Sequence, residues 1–260
     1  TRGVRFMTTL YAQKGLLGVL TPQANTTVEP ELSLLLPPGF GMIAARLTSP
    51  CADMNDRLID YLEDMDSVAD QFANAPVSAI GFACTGASYL VGMPRESEMI
   101  ETMTQARGIP VITAGRAIAD ALHALSARRI AVVSPYGDGL TATSVNYWSA
   151  HGFEVTEVCQ VTQNSAAFHP IYAHSADVAL DGLRRLEKSL NADAVVLLGT
   201  GLPTLPTLDA APYVTDRAVP VLSSNLCLAW RMVMAATDSP LTAQSLHDWL
   251  SGAHWAHKLP

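Results

Sequence analysis

Short apolar runs alternate along the chain with longer amphipathic stretches. Four runs of apolar or small residues are bounded by Gly, Pro, Ser, Thr or charged residues: Leu16 to Leu20, Ser78 to Ala83, Ile130 to Val133 and Ala194 to Leu198. From Asn55 to Phe72, and from Ala176 to Leu190, apolar residues recur at helical spacing. Strands that are apolar throughout are typical of a parallel sheet covered by helices on both faces. The pattern therefore predicts an α/β fold.

The chain also resembles itself at an offset of 110 to 115 residues. The matching pairs, in chain order, are Val19 to Gln23 with Val132 to Tyr136, Ile80 to Gly86 with Val195 to Gly201, and Pro110 to Thr113 with Pro220 to Ser223. Three ordered matches predict two pseudo-symmetric parallel-sheet halves. We place them at 1–125 and 126–223, with 224–260 packing back onto the first. Ligands bind beyond the carboxyl ends of such strands, so we expect the active site between the halves.

Composition narrows the class of protein. Of the 260 residues, 49% are apolar and 15% are charged. The apolar fraction is enough to form a sizeable core. A net charge of -8 disfavours a nucleic-acid partner. No apolar stretch approaches the roughly 20 residues of a membrane span, and the first residues lack a signal-peptide core. We therefore expect a cytoplasmic protein with no membrane partner, and the sequence leaves open whether it forms a homo-oligomer.

Cys84 is the cysteine whose neighbourhood indicates chemistry. It follows an apolar strand and precedes Thr85, Gly86, Ala87 and Ser88, small residues that suit a turn into a helix. Backbone N–H groups at such a turn favour a thiolate, so we expect this thiol to ionise easily. The other cysteines, Cys51, Cys159 and Cys227, have no such turn, and space-filling is the better interpretation for them.

The connection after the first strand, Thr21 to Glu29, is rich in hydroxyls and amides. It is typical of a capped helix start with Thr26 or Thr27 as the N-cap. A ligand-binding role for Asn25 is compatible with that cap.

Four motifs together resemble a known family. They are Pro-x-x-Asn-Thr-Thr-x-Glu from Pro22, Ala-Cys-Thr-Gly-Ala-Ser from Ala83, Ser-Pro-Tyr from Ser134 and Pro-Val-Leu-Ser-Ser-Asn from Pro220. In this order they resemble the maleate cis-trans isomerase and arylmalonate decarboxylase family of the aspartate/glutamate racemase superfamily. The resemblance implies that Cys84 matches the isomerase nucleophile. It further implies that Asn25, Tyr136 and Asn164 hold substrate carboxylates and shape the site. We expect the rest of the site, which binds carboxylate or a developing enediolate, to comprise Pro22, Thr85, Gly86, Gly199, Thr200 and Gly201.

The chain departs from that family at Gly199, where the resemblance implies a second cysteine. A two-base racemase needs an acid or base on both faces of the reacting carbon, and glycine supplies none. Three chemistries stay open with one thiol. Cys84 adds reversibly to a double bond, Cys84 protonates an enediolate after decarboxylation, or Gly199 opens the turn so that Cys84 attacks a bulkier amide or ring carbonyl. A catalytically inactive protein that binds a small carboxylate is the further alternative.

Metal and nucleotide sites find little support in the sequence. The seven histidines offer one i, i+3 pair, His254 with His257, near the end of the chain. No glycine-rich nucleotide motif follows a strand, so we expect no cofactor. His169 and His174 lie on either side of Pro170, Ile171 and Tyr172. They either flank the cleft near Asn164 or lie on a surface loop, and the surface loop is the favoured interpretation.

Overall fold

The computed structural model describes residues 9–161, 170–187, 191–214 and 219–260. Within these ranges eight strands form two sheets of four, and neighbouring strands are parallel. The strands are β1 Gly15–Pro22, β2 Phe40–Leu47, β3 Val77–Phe82, β4 Val111–Thr113, β5 Arg129–Ser134, β6 Glu154–Gln160, β7 Ala194–Leu197 and β8 Val221–Ser223. The predicted α/β class with two parallel sheets is confirmed.

The two sheets have the same topology. Their strand orders are β2-β1-β3-β4 and β6-β5-β7-β8, which are identical after a shift of four strands. The sequence matches at an offset of 110 to 115 residues therefore relate structurally equivalent strands. In this equivalence the turn after β3, at Cys84, corresponds to the turn after β7, at Gly199.

Helices cover the sheets and link them. They are α1 Val28–Leu35, α2 Met54–Glu63, α3 Met65–Ala69, α4 Thr85–Arg107, α5 Ala114–Ala124, α6 Asp138–Ala150, α7 Ala176–Glu187, α8 Leu205–Val214, α9 Ser224–Ala236 and α10 Ala243–Leu250. Short 3-10 helices occupy Asp70–Phe72, Pro170–Ala173 and Ala256–Lys258. The description of α7 stops at Glu187, so its predicted continuation to Leu190 lies outside the described residues.

The helix predicted from Asn55 to Phe72 is in fact broken into α2, α3 and a 3-10 turn. Its apolar positions keep their spacing because all three pieces place the same face against one core cluster, which includes Leu58, Leu62 and Met65. The helix predicted near Leu226 is α9, which packs on α5, β3 and α1. It is followed by α10, so it is not the last helix as predicted. The predicted boundaries 1–125 and 126–223 stay a prediction.

Candidate active site

The carboxyl ends of four strands converge on one cavity. Pro22 ends β1, and Cys84, Tyr136 and Thr200 come within a few residues of the ends of β3, β5 and β7; all four line a space of about 640 Å³. Since β1 and β3 pair in one sheet and β5 and β7 in the other, both sheets contribute to its wall. The cavity lies where the topology predicts a ligand site.

Cys84 lies on the wall of this cavity at the junction of β3 and α4. Its backbone is extended, with φ -148° and ψ 98°, and α4 begins at the next residue. Its side chain is buried, with 5% of the residue exposed. Burial raises the pKa of the thiol to about 11, while the N–H groups of Ala87 and Gly86 lower it. The expectation of an easily ionised thiol is therefore wrong, because the loss of hydration outweighs the two N–H donors.

Two hydroxyl groups lie beside Cys84. The Oγ1 of Thr85 and the phenol oxygen of Tyr136 are 2.7 Å apart and share a hydrogen bond. Burial raises the pKa of Tyr136, so its phenol is neutral and can donate. The ring of Tyr89 meets that of Tyr136 edge to face, with centroids 6.1 Å apart. Residues from the two halves thus place two neutral hydroxyl groups beside Cys84, and one of the two hydroxyl hydrogens is left to donate to a substrate.

Asn25 lies behind the cavity wall. It is 2% exposed, and its Oδ1 accepts from the N–H groups of Thr27 and Val28 at 2.8 and 3.0 Å. Its Nδ2 donates to Thr200 Oγ1 at 3.4 Å. The hydroxyl of Thr27, the predicted cap, instead donates to the carbonyl oxygen of Gly201 at 2.9 Å. Asn25 therefore caps α1 and joins it to the turn after β7.

The turn of Gly199, Thr200 and Gly201 is held by buried polar contacts. Thr200 Oγ1 donates to the Ala83 carbonyl oxygen at 2.8 Å, which ties this turn to the residue before Cys84. Asn225 Nδ2 donates to the Thr200 carbonyl oxygen at 3.1 Å and to Glu31 Oε2 at 2.8 Å.

Glu31 extends this network to the start of α8. Its Oε1 accepts from the backbone N–H groups of Thr204 and Leu205 at 2.5 and 3.0 Å. Burial raises the pKa of the Glu31 carboxyl, and these hydrogen bonds act in the opposite direction. A buried carboxyl on α1 therefore fixes the relative position of the two halves at the site.

Gly199 does not open space in the cavity. It has φ +90°, in the region that favours glycine, and a Cβ there would lie 2.8 Å from Ile171 Cδ1 and 2.9 Å from Pro135 Cγ. A Cβ on Gly201 would overlap the ring of Tyr172. Neighbouring side chains thus already fill the volume beside Gly199, and attack of Cys84 on a bulkier amide or ring carbonyl stays a prediction. Gly199 and Gly201 lie beneath this layer, while Thr200 reaches the cavity.

Several cavity residues escaped sequence reasoning. Tyr61 and Leu58 line the cavity from α2, where helical periodicity predicted a helix but no site. Tyr172 follows no periodic pattern, yet it lines the cavity. His174 also lines it, and a position at the cleft was the less favoured interpretation of this residue. His174 is 5% exposed, so the surface-loop interpretation is wrong for it. Of the predicted residues, Gly86 lines the cavity beside Cys84, whereas Asn164, like His169, lies outside the described residues.

The cavity joins a polar side to an apolar one. Met54, Leu58 and Leu140 form an apolar wall, and Leu58 and Leu140 pack against Gly86. Neither lysine nor arginine is among its described lining residues. An anion would therefore be held by neutral donors and the backbone. In the parts of the chain that the structure describes, no three His, Cys, Asp or Glu side chains cluster as metal ligands, and no helix is long and apolar enough to cross a membrane.

Comparisons with known proteins give the family. The arylmalonate decarboxylase family model matches residues 17–246. A maleate isomerase from Pseudomonas putida is 28% identical over 249 residues, covering 90% of this chain and 95% of the relative. The arylmalonate decarboxylase from Bordetella bronchiseptica is 26% identical over 234 residues, covering 82% and 92%.

A solved structure gives the same result. The crystal structure of the maleate isomerase Iso from Pseudomonas putida matches with a TM-score of 0.74 at 26% identity, covering 87% of this chain and 94% of that chain. These relatives are enzymes, isomerases and decarboxylases, and the resemblance drawn from the four motifs is confirmed. Because the family match spans most of its length, the chain belongs to the arylmalonate decarboxylase family.

Proposed function

We propose that the protein is a maleate isomerase-like enzyme that interconverts the cis and trans forms of a small unsaturated (di)carboxylic acid, with Cys84 as the nucleophile and no cofactor. The observation that carries the proposal is the position of Cys84, the one cysteine of the four that lines the cavity. It lies beside the hydroxyl pair of Thr85 and Tyr136. A thiol next to neutral hydrogen-bond donors suits addition to an activated alkene.

The reaction conserves electrons without an external oxidant or reductant. The Cys84 thiol, whose pKa burial raises to about 11, first loses its proton to solvent. The thiolate then forms a carbon–sulfur bond with the β-carbon of the alkene, and the π electrons move onto the carboxylate as an enediolate. The hydroxyl pair of Thr85 and Tyr136, in which one hydroxyl donates to the other, would donate its remaining hydrogen to the developing charge. Rotation about the new single bond and expulsion of the thiolate then give the trans acid. The cavity wall at Pro22 and Gly86, and the backbone of Gly199 and Gly201, would shape the site.

Proton NMR of the purified protein with maleate tests this proposal. We expect fumarate from the parent protein and from Cys159→Ala, which removes a thiol on β6 outside the cavity, but none from Cys84→Ala. Fumarate formed equally by Cys84→Ala would overturn the role of the thiol. Absence of fumarate from the parent protein would overturn the maleate assignment.

Decarboxylation of a malonate-type acid is the second candidate, and two observations favour it. The apolar wall of Met54, Leu58 and Leu140 would desolvate a carboxylate and so favour loss of carbon dioxide. The pKa of Cys84, raised to about 11, keeps the thiol protonated. In this reaction the carbon–carbon bond breaks, its electrons form an enediolate, and the Cys84 S–H bond delivers its proton to one face of the α-carbon.

Methylphenylmalonate separates this candidate from the first. Carbon dioxide release and a single product hand, both lost in Cys84→Ala, would support decarboxylation. The hand should be opposite to that from an enzyme whose thiol lies on the Gly199 side. Ligand binding without turnover of either maleate or methylphenylmalonate would instead indicate a catalytically inactive carboxylate-binding protein.

A further inference from the structure

We propose that the hydroxyl of Tyr172 is the proton donor on the face of the substrate opposite Cys84, a role that rests on the proposed thiol addition. Addition of a thiolate to an alkene leaves a carbanion at the α-carbon, and a positioned acid can trap it as a stable thioether. The turn after β7 is the structural counterpart of the Cys84 turn, but Gly199 and Thr200 offer no suitable acid. An acid on that side must therefore come from a side chain that covers the turn.

The segment Pro170–Ala173 covers it. Ile171 lies over Gly199, and the ring of Tyr172 lies against Gly201 so closely that a methyl group on Gly201 would overlap it. Both side chains line the same cavity as Cys84. Glycine at 201 therefore admits the Tyr172 ring beside the turn after β7, the counterpart of the Cys84 turn in the other sheet.

Besides Cys84 and Tyr172, the described titratable side chains that line the cavity are Tyr61, Tyr136, Asp138 and His174. Asp138 accepts a hydrogen bond from Gln160 Nε2 at 3.1 Å. The Tyr136 hydroxyl is hydrogen-bonded to Thr85, the residue after Cys84, so it lies on the side of the cavity that Cys84 occupies. His174 Nδ1 and the Tyr61 hydroxyl are buried and have no hydrogen-bond partner. Burial lowers the pKa of His174, so its neutral imidazole is a poor acid.

The electrostatics of Tyr172 suit a group that gives a proton and takes it back. Burial raises its pKa, and negative charge on Cys84, Tyr61 or Tyr136 raises it further. The phenol is therefore neutral before addition, and the phenolate left after proton transfer is a strong base. Tyr172 and Cys84 line the same cavity, so proton transfer by one and addition by the other act on one substrate.

In the proposed reaction Tyr172 gives a proton to the α-carbon and later takes one back. The thiolate pair forms the sulfur–carbon bond, and the π pair forms a bond from the α-carbon to the Tyr172 proton, leaving a phenolate. After rotation about the carbon–carbon bond, the phenolate removes a proton from the α-carbon. That electron pair restores the double bond, and the sulfur leaves as the thiolate.

Two reagents of nearly equal size separate the acid role from packing. After the Cys84 thiolate adds to acrylamide, the α-carbon of acrylamide must receive a proton. In the reaction with iodoacetamide the thiolate displaces iodide from carbon, and no carbon needs a proton. Labelling of Cys84 would be followed peptide by peptide by mass spectrometry, with Cys51, outside the cavity, as the internal reference. The variants are Tyr172→Phe, which keeps the ring over Gly201, and Tyr61→Phe as the matched phenol control.

For Tyr172→Phe we expect the acrylamide rate at Cys84 to fall at least about tenfold, with the iodoacetamide rate within about twofold of the parent. Tyr61→Phe should keep the ratio of the two rates. Equal changes in both rates, or an unchanged ratio, would overturn the role of Tyr172. Because neither reagent is a substrate, this result is independent of whether maleate turns over.

Discussion

Replacement of Gly199 by alanine tests whether the turn after β7 is filled by its neighbours. An alanine there must adopt φ +90° and place its Cβ 2.8 Å from Ile171 Cδ1 and 2.9 Å from Pro135 Cγ. The backbone strain costs about 1 to 3 kcal/mol, and the overpacking costs about 1 to 3 kcal/mol more. The expected loss is therefore a large part of a typical folding free energy of about 5 to 15 kcal/mol.

Gly152 provides the matched control. Its φ is +87°, but nothing lies within 4 Å of the Cβ that an alanine would add. Gly152→Ala therefore measures backbone strain alone, and its difference from Gly199→Ala measures packing. Urea denaturation of both variants should show Gly199→Ala less stable than Gly152→Ala by about 1 to 3 kcal/mol.

Ile171→Val sharpens the test because it deletes the Cδ1 atom that lies nearest to the added Cβ. In a double-mutant cycle, Ile171→Val should recover part of the loss caused by Gly199→Ala, with an interaction energy of about 1 kcal/mol. If Gly199→Ala is as stable as Gly152→Ala, or if the cycle shows no interaction, the turn is open and the packing argument fails. By the same reasoning, Gly199→Cys should not raise isomerase activity above that of the parent protein.

Three further outcomes are expected. Alkylation of Cys84 by iodoacetamide should rise about tenfold per pH unit up to a pH of about 11, because burial keeps the thiol protonated; a plateau below pH 9 would contradict this. Tyr136→Phe should lower the kcat of Cys84-dependent turnover by about 10²-fold, since it removes one hydrogen-bond donor to the developing enediolate. Steady-state kinetics measures this change. An unchanged kcat would mean that the phenol lines the cavity without donating to the substrate. Burial raises the folded-state pKa of Glu31 above its ordinary 4.5, so its contribution to stability is present below that pH and is lost as the pH rises through the folded pKa. The free energy of unfolding of the parent relative to Glu31→Gln should therefore fall as the pH increases from 4.5, and a rise would refute the assignment.

The residues around Cys84 show which features of a site a turn sequence can predict. The run before Cys84 and the small residues after it place a thiol at the end of a strand, because strand and turn preferences are local. The internal matches likewise predict that the turns at Cys84 and Gly199 are equivalent, and the identical strand orders agree. The ionisation of the thiol, however, depends on how much water reaches it, and that follows from packing across both halves.

The sequence by itself determined the alternation of strands and helices, the duplicated parallel sheets and the position of Cys84, since each follows from periodicity and turn chemistry within short windows. Tertiary structure alone decided that Asn25 caps α1 behind the wall, that Tyr61 and His174 face the cavity, and that Ile171 and Tyr172 fill the space at Gly199 and Gly201. These contacts join residues far apart in the chain, and no local pattern records which distant side chain will occupy a given volume.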